Sequence, residues 1–179
     1  LFIKIRENMV IRRFKRLEGV LVPYVHGGGS IGVMVKLDTD LPADKVFETG
    51  KDCALQVAAM NPAYLDEASV PASVLENEKT IIMAQMAEDP KMASKPEQVR
   101  AKIAEGKVGK YYSENCLLEQ TFVRSDLFDG TVAKYVADAA KKLGGTIEVV
   151  ECIRYERGEG VEKKADDFAA EVAAMAKGN

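Results

Sequence analysis

The chain has 179 residues, of which 47% are hydrophobic and 30% are charged, and its formal net charge is −3 at pH 7. These values are typical of a globular protein with a hydrophobic core, and they exclude a disordered chain. A single histidine, His26, excludes metal sites built from several histidines and disfavours histidine-based acid–base catalysis.

The first forty residues predict β-structure. In residues 20–25 and 31–37 the side chains divide into two alternating sets, as on the two faces of a strand. The three glycines between the two runs can form a tight turn. The two runs therefore predict a β-hairpin. Residues 8–17 are interpreted as a less regular third strand, which would complete an antiparallel meander with one solvent-facing side.

The first long helix is predicted to begin after Leu41-Pro42 and to stop at Asn61-Pro62, because apolar residues recur between them at helical spacing. Gly50 interrupts this pattern and would cost the helix about 1 kcal/mol relative to alanine. Its presence predicts a close approach between the helix and the sheet.

Residues 71–116 differ in character from the stretches around them. Their apolar residues form two seams at helical spacing, two prolines separate the seams, and charged residues surround both. This pattern predicts an antiparallel helical hairpin, or short coiled coil, inserted into the fold. The seams comprise Val74, Leu75, Ile81, Ile82 and Met86 in the first, and Val99 and Ile103 in the second.

An amphipathic helix is predicted after the insertion, up to Gly144-Gly145, followed by a strand over 146–156 and a final helix. The elements together predict an α+β fold: an antiparallel β-meander packed against helices, an inserted antiparallel helical hairpin and a C-terminal helix. We divide the chain into the meander with its helix (1–70), the hairpin (71–116), the remainder of the core (117–163) and the C-terminal helix (164–179).

No set of residues predicts a catalytic or metal site. Residues 27–32 satisfy the letters GxGxxG, but a strand follows them where a dinucleotide site needs a helix, so a hairpin turn is favoured. The three cysteines form no CxxC pair, which favours buried thiols in a reducing compartment such as the cytosol. We expect no enzymatic activity, cofactor, metal or nucleotide site, no signal peptide and no membrane helix.

A basic run, Arg12-Arg13-Phe14-Lys15-Arg16, allows two interpretations. It could contact RNA through phosphate and stacking interactions, which would make the chain an RNA- or ribosome-binding module. We favour an edge strand guarded by charges, because the run is short and the net charge of the chain is negative.

Several short motifs carry a family resemblance. Among them are Ile5-Arg6-Glu7-Asn8, Tyr24-Val25-His26-Gly27, Leu117-Leu118-Glu119-Gln120-Thr121-Phe122-Val123 and Arg154-Tyr155-Glu156-Arg157-Gly158-Glu159-Gly160. In this order they strongly resemble bacterial translation elongation factor Ts, over nearly the whole chain.

The resemblance implies a guanine-nucleotide exchange factor that makes and breaks no covalent bond. Such a factor binds elongation factor Tu in its GDP-bound and nucleotide-free states and promotes GDP release, so that GTP can rebind. The resemblance also implies a cytoplasmic location, with an organellar matrix or stroma as the alternative, and no direct binding of nucleic acid.

The same resemblance implies seven residues that contact the partner. Ile5 corresponds to a contact with the GTPase domain of the partner, and His26 corresponds to a contact with its distal β-domain. Val123 and Arg124 match a second contact with that distal domain. The last helix is expected on the GTPase domain through Phe168, Val172 and Met175.

The chain departs from the family pattern at two places. Thr121 stands where relatives commonly have proline, and residues 28–30 lack an arginine that relatives often carry. The N-terminal ubiquitin-associated-like domain of the family and the first half of its core have no counterpart in this sequence. We therefore expect the chain alone to bind the partner but to promote GDP release poorly.

Overall fold

The computed structural model describes residues 2–6 and 11–160, and in these ranges it has an α+β fold, as predicted. The strands are β1 (Val20–His26), β2 (Ile31–Thr39) and β3 (Ile147–Glu156). The helices are α1 (Phe2–Ile5), α2 (Ala43–Met60), α3 (Ala72–Glu88), α4 (Pro90–Ala93), α5 (Glu97–Asn115) and α6 (Val132–Leu143).

The predicted β-hairpin is confirmed. β1 pairs antiparallel with β2, from Val20 opposite Leu37 to His26 opposite Ile31. The turn between them is built by glycines 27–29, whose φ angles of 58°, 62° and 92° lie in the left-handed region that side chains disfavour. The glycines therefore serve the turn, and β2 rather than a helix follows them.

The predicted meander is wrong in its third strand. The sheet has the order β1-β2-β3, and its third strand is β3, which pairs with β2 from Ile31 opposite Glu156 to Thr39 opposite Ile147. Residues 11–18 form no strand. A meander would pair the upstream segment with the outer edge of β1, but its cations instead bind Glu159 and Glu151 beside and on β3.

Helix α2 packs across one face of the sheet. Its buried residues Val46 and Cys53 belong to a core that also contains Val22 and Val35, each at most 1% exposed. A Cβ atom added at Gly50 would lie 2.5 Å from Cγ2 of Val22. The predicted close approach at this glycine is confirmed.

Helix α6 closes the same core and is ended as predicted. Val132 and Val136 are buried on its inner face, and the hydroxyl of Thr131 accepts a hydrogen bond from the backbone N–H of Lys134 at 3.4 Å. Gly144 follows the last turn with a φ of 76°, the left-handed conformation that terminates many helices.

The helical hairpin has a small core of its own. α3 and α5 pack through Ile82, Met86 and Val108, which form a second buried cluster. The helices agree with the sequence-based prediction, but the seams differ, because Ile81 is 42% exposed and Val99 is 40% exposed.

The hairpin joins the main core through backbone hydrogen bonds from residues 63 and 64 to the carbonyl of Asn115. The division of the chain at residues 70, 116 and 163 remains a prediction. The predicted C-terminal helix, 164–179, lies outside the described residues.

Candidate partner-binding surface

His26 is the last residue of β1 and is exposed. It shares the sheet face of Val22 and Tyr24, because alternate residues of a strand point the same way. The Tyr24 hydroxyl lies 3.1 Å from Nδ1 of His26, so a hydrogen bond orients the imidazole ring. The ring thus stands at the rim of the sheet, held on one edge and open to a partner on the other.

Val123 and Arg124 lie in the loop between residues 120 and 130, which precedes α6. The residue before them, Phe122, is 1% exposed, and its ring stacks on Tyr135 of α6 with the centroids 4.1 Å apart. Its backbone N–H donates to the carbonyl of Gly130 at 2.9 Å. This anchor turns Val123 outward, where it is 37% exposed.

The guanidinium group of Arg124 is held between two carboxylates. Nη2 donates to Asp126 at 2.8 Å, and Nη1 lies 3.5 Å from Oδ1 of Asp52 on α2. The hydrogen bond to Asp126 raises the pKa of Arg124, and the same bond lowers the pKa of Asp126. Both groups therefore remain charged over the physiological pH range.

A tyrosine fixes the inner carboxylate of this group. The Tyr135 hydroxyl donates to Oδ2 of Asp52 at 2.5 Å. Burial first, and then the neighbouring carboxylate, raise the pKa of Tyr135, so the hydroxyl keeps its proton and remains the donor. Tyr135, Asp52 and Arg124 thus form one chain of hydrogen bonds from the core to the surface.

The structure describes the side chains of three of the seven predicted contact residues: His26, Val123 and Arg124. Ile5 lies in the short helix α1, and only the backbone of this residue is described. His26 and the pair Val123–Arg124 lie on separate elements, both attached to α2. Phe168, Val172 and Met175 lie outside the described residues.

The basic run has no regular secondary structure and lies against β3 and the turn after it. Arg13 pairs with the carboxylate of Glu159 and stacks over the ring of Tyr155, with its guanidinium carbon 4.4 Å from the ring centroid. Lys15 pairs with Glu151, and Arg12 donates to the Glu159 carbonyl. The predicted edge strand is wrong, and the acidic groups of β3 and the turn after it bind these cations instead.

The second face of the sheet is solvent-facing as predicted, with Val25 67% exposed, but it is apolar. Below the basic segment it carries an apolar groove of about 550 Å³. The sequence already held the signal, since residues 20–25 are apolar at both odd and even positions. The groove is lined by Leu21, Pro23, Val25, Met34, Ile153 and Tyr155, among others.

The thiols have the properties of buried structural cysteines. Burial raises the pKa of Cys53 to about 12 and the pKa of Cys116 to about 11, so both remain protonated and unreactive at neutral pH. Within 2–6 and 11–160, no three His, Cys, Asp or Glu side chains are grouped as metal ligands. In the same ranges, no helix combines the length and the apolar character that a membrane span requires.

Sequence reasoning missed the residues that support the exposed loop. Gln56 and Gln120 are both 0% exposed, and the Nε2 atom of Gln56 donates to Oε1 of Gln120 at 3.1 Å. The available signal was a glutamine within the apolar period of α2, next to Val57. Such a position predicts a buried amide with partners, because unpaired buried amides are costly.

Comparisons with known proteins agree with one another. A family model described as Elongation factor TS matches residues 1–159. Elongation factor Ts of Clostridium kluyveri strain ATCC 8527 is 44% identical over 178 residues, which cover 98% of this chain and 56% of that protein. Elongation factor Ts of Clostridium botulinum strain ATCC 19397 is 45% identical over 175 residues, with coverages of 96% and 55%. The chain therefore spans about half the length of these relatives.

Proposed function

Because the chain belongs to the elongation factor Ts family of translation elongation factors, we propose that it is a guanine-nucleotide exchange factor. Its partner in this proposal is elongation factor Tu in the GDP-bound and nucleotide-free states. The observation that carries the proposal is the family match over residues 1–159, a range that contains the three candidate contact residues whose side chains are described. The family relationship also supports action in the cytoplasm.

The mechanism proposed is thermodynamic linkage. If the chain binds nucleotide-free elongation factor Tu more tightly than the GDP complex, then its binding must lower the affinity for GDP by the same factor. No covalent step is needed. Binding energy from surface contacts is the whole driving force, and GTP completes the cycle by displacing the chain.

The contacts proposed with elongation factor Tu combine apolar and charged side chains. His26 offers an imidazole oriented by Tyr24, and Val123 offers an apolar side chain beside the fixed cation of Arg124. An oriented cation next to an exposed apolar group suits a partner surface of mixed character, because little side-chain freedom is lost on binding.

A capture experiment tests the proposal. The immobilised 179-residue chain is expected to retain purified elongation factor Tu, and excess GDP is expected to reduce the amount retained. Val123→Ala should weaken capture, whereas Val150→Ala should not, since Val150 is a similarly exposed valine (39%) on β3. Absence of capture by the unaltered chain would contradict the proposal.

RNA binding through residues 12–16 is the second candidate, and the same chain can test it. Three of these cations already pair with groups at Glu151 and Glu159. RNA would have to break those pairs, which disfavours this function. If the chain binds RNA, this binding should fall steeply as the salt concentration is raised, whereas capture of elongation factor Tu should depend less on salt.

A further inference from the structure

Gln56 is the one buried residue of α2 whose side chain forms hydrogen bonds with the backbone of the loop at 120–130. It is 0% exposed. Its Nε2 atom donates to the carbonyl of Thr121 at 3.1 Å, and its Oε1 atom accepts from the N–H of Val123 at 2.8 Å. The two bonds bracket Phe122 and set the direction in which Val123 leaves the core.

The amide also joins a second buried amide. The second N–H of Gln56 Nε2 donates to Oε1 of Gln120. The Nε2 atom of Gln120 in turn donates to the carbonyl of Glu114 at 2.9 Å. Gln56 therefore uses two donors and an acceptor at once. A glutamine can do this and a methionine of similar shape cannot, because only the amide has both kinds of group.

A second point of support lies one helical turn earlier on α2. Asp52, four residues before Gln56, lies on the same face of the helix and approaches the guanidinium of Arg124 at 3.5 Å. Tyr135 holds this carboxylate in place. Successive turns of α2 thus fix residues 123 and 124, the first through its backbone and the second through its side chain.

We propose that Gln56 and Asp52 are positioning residues that preorganise Val123 and Arg124 for the partner. This inference rests on the proposed function, since Val123 and Arg124 contact elongation factor Tu only in that proposal. A loop held in its binding geometry loses less conformational freedom on association, and this lowers the dissociation constant without any added contact.

Gln56→Met tests the first point of support. We expect the dissociation constant for elongation factor Tu to rise about fivefold, the size of effect that follows from loss of a hydrogen bond. Hydrogen exchange at the Val123 amide should accelerate, because its acceptor is gone. In a Val123→Ala background the same substitution should cost less, since the side chain being positioned is absent.

Val46→Ala is the matched control. Val46 is also 0% exposed on α2, but it is ten residues away from Gln56 in the chain and its hydrocarbon side chain cannot form a hydrogen bond to the loop. Its substitution should lower stability and leave the dissociation constant unchanged. If Val46→Ala weakens binding as much as Gln56→Met, or if Gln56→Met leaves the dissociation constant unchanged, the positioning role is overturned.

Asp52→Asn provides a milder variant if Gln56→Met does not fold. The asparagine carbonyl can still accept the Tyr135 hydroxyl, but the negative charge that faces Arg124 is lost. The dissociation constant is expected to rise about twofold to threefold. An unchanged value would overturn the positioning role of Asp52. If the unaltered chain fails to bind elongation factor Tu, the proposed function is overturned and the positioning role with it.

Discussion

His26 illustrates how a single residue acquires a role from its position. The sequence has one histidine, and the structure places it at the exposed end of β1 with its Nδ1 atom next to the Tyr24 hydroxyl. Side chains of this kind combine an apolar body with hydrogen-bonding atoms, which suits contact with a protein surface. Among the described residues, His26 is in no group that could bind a metal.

We predict that His26→Ala weakens binding to elongation factor Tu by about 1–2 kcal/mol, the range of a contributing interface contact. Titration calorimetry of the chain with nucleotide-free elongation factor Tu measures this. Val25→Ala is the control, because Val25 is 67% exposed but points to the opposite face of the sheet. Equal affinities for His26→Ala and the unaltered chain would show that His26 is not a contact.

A second prediction at this scale concerns the thiols. Burial raises the pKa of all three thiols, to about 12 for Cys53 and about 11 for Cys116. Cys152 is the most accessible of them, because it is half-buried whereas Cys53 and Cys116 are each 0% exposed. Only the thiolate reacts with iodoacetamide, so Cys152 should be alkylated first in the native chain. Pulsed alkylation followed by peptide mass spectrometry gives the order, which should disappear in urea. Faster labelling of Cys53 would contradict the burial described here.

At the scale of elements, α2 depends on Gly50 for its distance from the sheet. We predict that Gly50→Ala lowers the free energy of unfolding by about 1–3 kcal/mol, because the added Cβ would lie 2.5 Å from Val22. Gly106→Ala on α5 is the control. No heavy atom lies within 4 Å of its Cβ position, so alanine should raise stability by up to about 1 kcal/mol. Urea denaturation measures both, and a stable Gly50→Ala would show that the helix can move away.

The helical hairpin has its own cluster, Ile82, Met86 and Val108, apart from the main core. We predict that a flexible Gly/Ser linker in place of residues 71–110 leaves the sheet and α2 folded. The last turn of α5 is retained because the Glu114 carbonyl accepts the bond from Gln120. Circular dichroism should show a cooperative melting transition for the shortened chain. Its loss would mean that the two clusters form a single folding unit.

Local pattern predicted most of the elements, but it missed α1, a short helix where β-structure was predicted, and it chose the wrong third strand for the sheet. α2 and the β1–β2 hairpin follow from apolar spacing and from Gly and Pro residues inside each segment. β3 was recognised as a strand, but its pairing with β2 joins residues more than 100 positions apart. Because hairpins between neighbours are the commonest pairing, the sequence favoured the upstream residues 8–17 as the third strand.

For the whole molecule, the length of the chain relative to its relatives sets an expectation about activity. The chain covers 56% of the Clostridium kluyveri protein. We predict that the 179-residue chain accelerates release of fluorescent GDP from elongation factor Tu, but less than a full-length relative at equal concentration. Stopped-flow fluorescence measures both rates. Equal rates would mean that these 179 residues contain everything that exchange needs.

The candidate surface was only partly predictable, since the exposed residues and the residues that support them depend on different information. The motifs that contain His26, Val123 and Arg124 are continuous in sequence, so comparison with a family was enough to select them. Gln56 and Asp52 come from α2 and reach loop residues more than 60 positions later in the chain. No local pattern marks such a partnership, because the bond exists only when two distant segments are packed together.

The sequence by itself determined the class of fold, the hairpin turn, most helix boundaries and the family, since each depends on neighbouring residues or on motif order. Tertiary structure alone decided which strand completes the sheet, which carboxylates bind the basic run, and how α2 holds the loop. Burial and hydrogen bonding bring distant segments together in these cases, and their free energies depend on the packed molecule rather than on any one segment.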